Sequence, residues 1–176
     1  REFSTTLRSR VSKAVDWLQA VTDVGTGGAP RYGANDGALI LPLTNCGYAD
    51  YRPVVQSLRM LLDGRRAFGP GPWDEEAYWL GIDVASATQH DLLSTPTLSG
   101  GIGGYHVLRQ ARSFVFMRCP ERFRHRPSHA DLLHVDLWWR GVNVLQDAGT
   151  YSYNPDWHTH DGLEHSRYHN TVTVNG

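Results

Sequence analysis

The chain has 176 residues, 40% of them apolar, and a formal net charge of −1. That length allows one domain or two small ones, and the charge balance excludes a nucleic-acid surface built on bulk basicity. No apolar run approaches the roughly 20 residues that a membrane-spanning helix needs.

The departures from ordinary composition are six Trp, eight Tyr and nine His. Aromatic rings suit the flat faces of sugars, but they also fill cores. Cys46 and Cys119 are far apart and show neither metal-ligand spacing nor a disulfide framework. The sequence opens at Arg1 a few residues before a helical pattern and stops at Gly176 straight after a strand-like run, so it reads as a fragment of a longer protein.

Phe3, Leu7, Val11, Ala14, Leu18 and Val21 recur at steps of three and four and predict a first helix, with Ser4, Thr5 and Thr6 offering N-cap oxygens and Gly25 beyond its end. Residues 25–37 are glycine-rich and contain Pro30, which predicts loop; Asn35 and Asp36 there are candidates for lining a substrate cleft or simply turn formers. A second helix is expected from about Tyr51 to Asp63, capped by Asp50, closed by Gly64, and burying Val54, Val55, Leu58, Leu61 and Leu62. A short third helix follows Pro72. Its first turn carries Asp74, Glu75 and Glu76, which suit the positive end of a helix better than an acid–base pair, since nothing in the sequence around them suggests a raised pKa.

From about residue 97 the period becomes alternating. Tyr105–Gln110, Arg112–Cys119, Leu133–Trp139, Val142–Gln146 and Thr171–Asn175 read as short strands, with Arg140-Gly141 as a turn. In the third of these, Leu133, Val135, Leu137 and Trp139 read as core residues that alternate with His134, Asp136 and Trp138, and His134 reads as a hydrogen-bonded sheet histidine. Helices followed by strands in separate blocks predict an α+β, multidomain arrangement. Its helical part covers 1–90 and its antiparallel sheet part 91–176.

Seven of the nine histidines fall between Arg124 and Asn170. His129 precedes one strand, Asp147 follows the next, and His169 opens the last. An antiparallel hairpin sets the start of its first strand beside the end of its second, so His129 and Asp147 should be neighbours, with His169 joining if the last strand pairs alongside. Two imidazoles and one carboxylate suit Zn²⁺ with an open fourth position, and Asp131 is placed to fix a ring tautomer. By spacing alone, a polar, histidine-rich loop on the rim of a sheet is the simpler reading.

The stretch SHADLLHVDLWWRGVNVLQDAGTYSYN followed by SRYHNTVTVNG resembles the sheet signature of heparinase II/III-like polysaccharide lyases. The earlier GANDGALILPL and GGYHVLR runs are similar to segments that lead into it. The resemblance implies the last helices of an (α/α) toroid followed by the start of an antiparallel β-sandwich. It implies β-elimination on an acidic, uronate-containing polysaccharide or oligosaccharide, with a mainly structural zinc held by His129, Asp147 and His169. It also places the main catalytic Tyr and His in toroid sequence upstream of Arg1, so residues 1–176 alone are expected to be inactive. Some relatives carry a catalytic histidine two positions before the first metal histidine; here that position is Pro127, which cannot transfer a proton. Within the chain, Tyr151, Tyr153 and Arg167 are the catalytic candidates, the arginine to neutralise a uronate carboxylate. Two other readings stay open: a non-catalytic carbohydrate-binding or assembly protein of the same fold, and a zinc hydrolase using the open metal position. Such polymers are met in the periplasm or outside the cell, and that is the expected compartment.

Overall fold

A computed structural model describes residues 3–31, 37–89, 98–100, 103–121, 129–150 and 162–174. The chain divides into two compact units, one of Arg1–Ala29 with Leu39–Pro96 and one of Pro30–Ala38 with Thr97–Gly176. The first is helical and the second holds an antiparallel sheet, an α+β composition.

In the helical unit, α1 spans Thr5–Val21 and α2 spans Arg52–Asp63. The Ser4 hydroxyl accepts the Leu7 amide at 3.2 Å, an N-cap of the expected kind. Val11, Val15 and Leu18 pack with Val55, Leu58, Leu62, Ala67, Phe68 and Trp73 in one cluster. Phe3 and Leu7 stand outside it, exposed, so the apolar stripe of α1 does its packing only from Val11 onward.

Tyr51, not Asp50, occupies the N-cap position of α2; the Asp50 carboxylate instead accepts the Arg52 amide at 3.0 Å and grips its guanidinium. Gly64 closes the helix in the left-handed conformation. Leu61 is exposed where burial was expected, and Gln56 and Met60 are buried in its stead. Gln56 is tolerated there because its amide is fully used: it donates to Phe68 O and Asp74 Oδ1 and accepts the Phe68 amide. A 3₁₀ turn, Pro72–Asp74, leads into α3, Glu75–Trp79. A two-residue parallel pair, β1 (Arg65–Arg66) with β2 (Thr88–Gln89), completes the unit.

The second unit carries a five-stranded antiparallel sheet in the order β3 (Leu98–Gly100), β4 (Tyr105–Gln110), β5 (Ser113–Arg118), β6 (Val135–Trp139), β7 (Val142–Leu145). Gly104 has a positive φ, and a Cβ there would lie 2.1 Å from Pro120 N, so the chain can enter β4 only through glycine. One sheet face carries Val107, Phe114, Phe116 and Trp138, all buried, with Tyr105 stacked on Phe116 and Phe114 on Trp138 at 5.8 and 5.7 Å.

The phase of β6 reverses the expectation. His134, Asp136 and Trp138 are the buried residues, whereas Leu133 and Trp139 are exposed and Val135 and Leu137 half-buried. The register explains it: Phe114 faces Trp138 and Phe116 faces Asp136, so the aromatic side of β5 selects that side of β6. Burying His134 and Asp136 is tolerable only because polar partners meet them.

The Arg140-Gly141 turn is present, with positive φ at both residues as tight hairpins favour. A register shift follows, in which Trp138 faces Asn143 but Leu137 faces Leu145, leaving Val144 as a bulge. Residues 171–174 form no strand, and Val172 and Val174 are exposed. Beyond Leu145 the amide of Val135 is taken by Asn170 O at 3.0 Å, so the residue just before this segment caps the end of β6.

Ala111, in the exposed β4–β5 turn, also has a positive φ, which disfavours any residue with a Cβ. Ala111→Gly should raise the unfolding free energy by about 0.5–1 kcal/mol, read as a higher Tm; an unchanged or lower Tm would contradict the strain.

Candidate metal centre

Three chain segments deliver the site. His129 stands in the loop before β6, Asp147 two residues beyond the end of β7, and His169 just after a 3₁₀ turn, Ser166–Tyr168. The β6–β7 hairpin supplies the first two by the antiparallel geometry itself. All three are buried, at 5%, 2% and 8% exposure. Each offers one ligand atom, and these atoms lie within 4.8 Å of one another, a group able to hold a metal ion.

Local bonds orient the three. The Asp147 carboxylate accepts the Gly149 amide at 2.7 Å through Oδ1, and Gly149 adopts the positive φ of that turn. This aims Oδ2 at His169 Nδ1, 2.9 Å away. The Thr150 hydroxyl lies 3.3 Å from His129 Nε2, so the segment that carries Asp147 also steadies the first imidazole. His129 Nδ1, Asp147 Oδ2 and both ring nitrogens of His169 are buried without a hydrogen-bond partner among the described residues. An Asp–His ion pair alone accounts for two of these atoms and leaves the others orphaned, at about 1–3 kcal/mol each. A cation surrounded by these donors accounts for them together.

Behind the group lies a second layer of buried polar side chains. Asp131 is fully buried, but its carboxylate pairs with the Arg118 guanidinium, whereas the sequence placed it on an imidazole ring. His134 Nδ1 accepts the Asn170 amide at 3.2 Å, the hydrogen bond that the sequence led one to expect of this residue. Its Nε2 faces Asp136 Oδ2 at 3.8 Å, and the Asn143 amide also reaches Asp136 Oδ2, at 3.4 Å. Arg118, His134 and Asp136 carried no motif. The only signal for them in the sequence was a charged residue at a strand end and polar residues alternating within one.

The remaining candidates do not join the trio. Arg167 is exposed, its guanidinium over the Tyr168 ring at 4.9 Å. Asn35, Asp36, Tyr151, Tyr153 and Pro127 lie outside the described residues. In the helical unit the acids after Pro72 have other work: Asp74 is bonded to Gln56 and lies 3.6 Å from Arg66, and Glu75 holds the Asn45 side chain and amide. Glu76 departs from the expectation of an ordinary carboxyl, since burial pushes its pKa up. It neighbours no second free carboxylate that would make an acid–base pair among the described contacts.

Two outcomes follow from this geometry. The purified chain should contain one divalent metal ion by elemental analysis, and His129→Ala and Asp147→Ala should each abolish it; equal metal content in the variants would detach those residues from the site. Arg118→Met should lower the unfolding free energy by about 3–5 kcal/mol, because it leaves the buried Asp131 carboxylate uncompensated; denaturant titration reads this, and a loss under 1 kcal/mol would show the ion pair to be dispensable.

Residues 94–176 match the family model described as heparinase II/III-like, C-terminal. No curated protein and no solved structure matches the chain significantly. The matched segment contains β3 to β7 together with His129, Asp147 and His169, and over residues 94–176 the chain is similar to the heparinase II/III-like C-terminal domain family.

Proposed function

We propose that this chain is part of a polysaccharide lyase that cleaves a uronate-containing acidic polysaccharide by β-elimination, with zinc held by His129, Asp147 and His169. The observation that carries the reading is the family match over residues 94–176. In this reading the helices of the first unit are the last of an (α/α) toroid and the five strands open a β-sandwich. The compartment is periplasmic or extracellular, where such polymers are found.

The donor set supports zinc over a harder cation, because two imidazoles and one carboxylate suit a borderline metal while calcium and magnesium prefer oxygen. Bound there, zinc supplies positive charge that joins three chain segments in place of a larger core. The chemistry falls to side chains. A base removes the proton α to the uronate carboxylate, the bond from the β-carbon to the glycosidic oxygen breaks, and an acid protonates that oxygen. The product gains a carbon–carbon double bond. The α-proton is weakly acidic while the carboxylate keeps its charge, so a neutralising group is required. Arg167, exposed three residues before Asn170, is the candidate for that task, and Tyr151 and Tyr153 are candidates for proton transfer.

Pro127 favours one second reading, a saccharide-binding protein that keeps the fold without turnover. The complete protein carrying this chain, incubated with alginate, glycosaminoglycans and bacterial exopolysaccharides, decides between them. New ultraviolet-absorbing unsaturated ends, produced at least tenfold more slowly by Arg167→Ala, are the expected result. Saturated reducing ends would indicate a hydrolase, and saccharide binding with no cleavage of any polymer would indicate the binding protein.

A further inference from the structure

We propose that His134 and Asn170 form a clamp that positions the metal-binding group, with neither residue serving as a ligand. This rests on the metal reading above and deepens it. The His134 side chain is only 1% exposed, at the foot of β6. Its Nδ1 accepts the backbone amide of Asn170 at 3.2 Å. A backbone N–H can only donate, so Nδ1 carries no proton and the ring proton sits on Nε2, which faces Asp136 Oδ2 at 3.8 Å. Both ring nitrogens are thereby directed away from ligation. The ring itself stands edge-on to His169, 5.6 Å between centroids at 87°. Nδ1 also lies 3.9 Å from Asp147 Oδ2.

Asn170 completes the clamp from the other side. Its carbonyl accepts the Val135 amide at 3.0 Å, and its side-chain Nδ2 donates to Gln146 O at 3.2 Å. Asn170 directly follows His169, and Gln146 directly precedes Asp147. One residue therefore ties the His169 segment to the start of β6 and to the end of β7, each bond one residue away from a ligand. The 2.9 Å approach of His169 to Asp147 is set by this bridge before any ion arrives. Holding ligands in place beforehand is what groups behind a metal site contribute, and removing such groups weakens binding about 10–100-fold.

The test is Zn²⁺ affinity of the full chain, measured by competition with a chromophoric chelator. The visible spectrum of the Co²⁺-substituted protein serves as a readout of ligand geometry, and the Tm of the metal-free protein as a control for simple destabilisation. His134→Leu fills the volume without an acceptor and should weaken Zn²⁺ about 10–100-fold and alter the Co²⁺ spectrum. His134→Asn places an oxygen near the position of Nδ1 and should recover most of the affinity. Asn170→Ala keeps the backbone amide and removes only the tether to Gln146; it should weaken Zn²⁺ about tenfold with a metal-free Tm near that of the parent. It decides the matter if His134→Leu does not fold. Parent-like affinity and spectrum in the folded variants, or a lowered Tm with unchanged affinity, would overturn the clamp while leaving the metal site intact. A parent chain that binds no Zn²⁺ would overturn the metal reading, and the clamp with it.

Discussion

A carboxylate buried at 2% exposure is the constraint around which the sheet unit is arranged. Taking the Asp147 charge out of water is expensive unless hydrogen bonds and positive charge meet it. One oxygen is satisfied locally by the Gly149 amide; the other faces His169. Several features that look like local irregularities follow from that requirement. The bulge at Val144 and the early end of β7 turn the chain so that Asp147 points inward instead of continuing the ladder. The Val135 amide, released by that turn, is taken up by Asn170, which brings His169 to the carboxylate. Leu133 accepts a left-handed backbone beside Asp131, and this tight turn feeds His129 and then His134 to the same region.

The buried face of the sheet is consequently divided. Toward one end, Phe114 and Trp138 stack and Arg109 lies over the Phe114 ring at 4.3 Å, an apolar and cation–π block. Toward the other, Arg118, Asp131, His134 and Asp136 form a polar one. Apolar packing gives the first block its stability through area removed from water. The second gains less from burial than from fixed geometry, since desolvation offsets most of the attraction between buried charges. A site that must present two imidazoles and a carboxylate in one arrangement needs that second kind of block behind it.

Much of this was legible in the sequence, and the failures have identifiable causes. Tyr105–Gln110 is a strand with the expected bounds, and Arg140-Gly141 marks the β6–β7 hairpin because few dipeptides accept two positive φ values. The pairing of His129 with Asp147 followed from hairpin topology without any motif. Hydrophobicity alone selects the opposite face of β6; Phe114 and Phe116 across the strand outweigh Val135 and Leu137, and the buried polar residues find long-range partners that no local window contains. The partner of Asp131 was misassigned for the same reason, Arg118 being on another strand. Thr171–Val174 has a strand's alternation, but a strand also needs a free edge in register, and the Val135 amide of β6 goes to Asn170, one residue before that segment. In the helical unit, Leu61 and Gln56 exchanged their expected places because an amide bonded at both ends is as acceptable in a core as a leucine.

The account turns on what the orphaned donors of His129, Asp147 and His169 surround. X-ray absorption at the zinc edge of the purified chain tests this most directly, because it reports ligand type and distance together. The account predicts a first shell of nitrogen and oxygen at about 2.0–2.2 Å with imidazole scattering behind it and no sulfur. Zinc bound through sulfur at about 2.3 Å would move the metal to Cys46 or Cys119 and contradict the site, as would a folded chain that takes up no zinc at all.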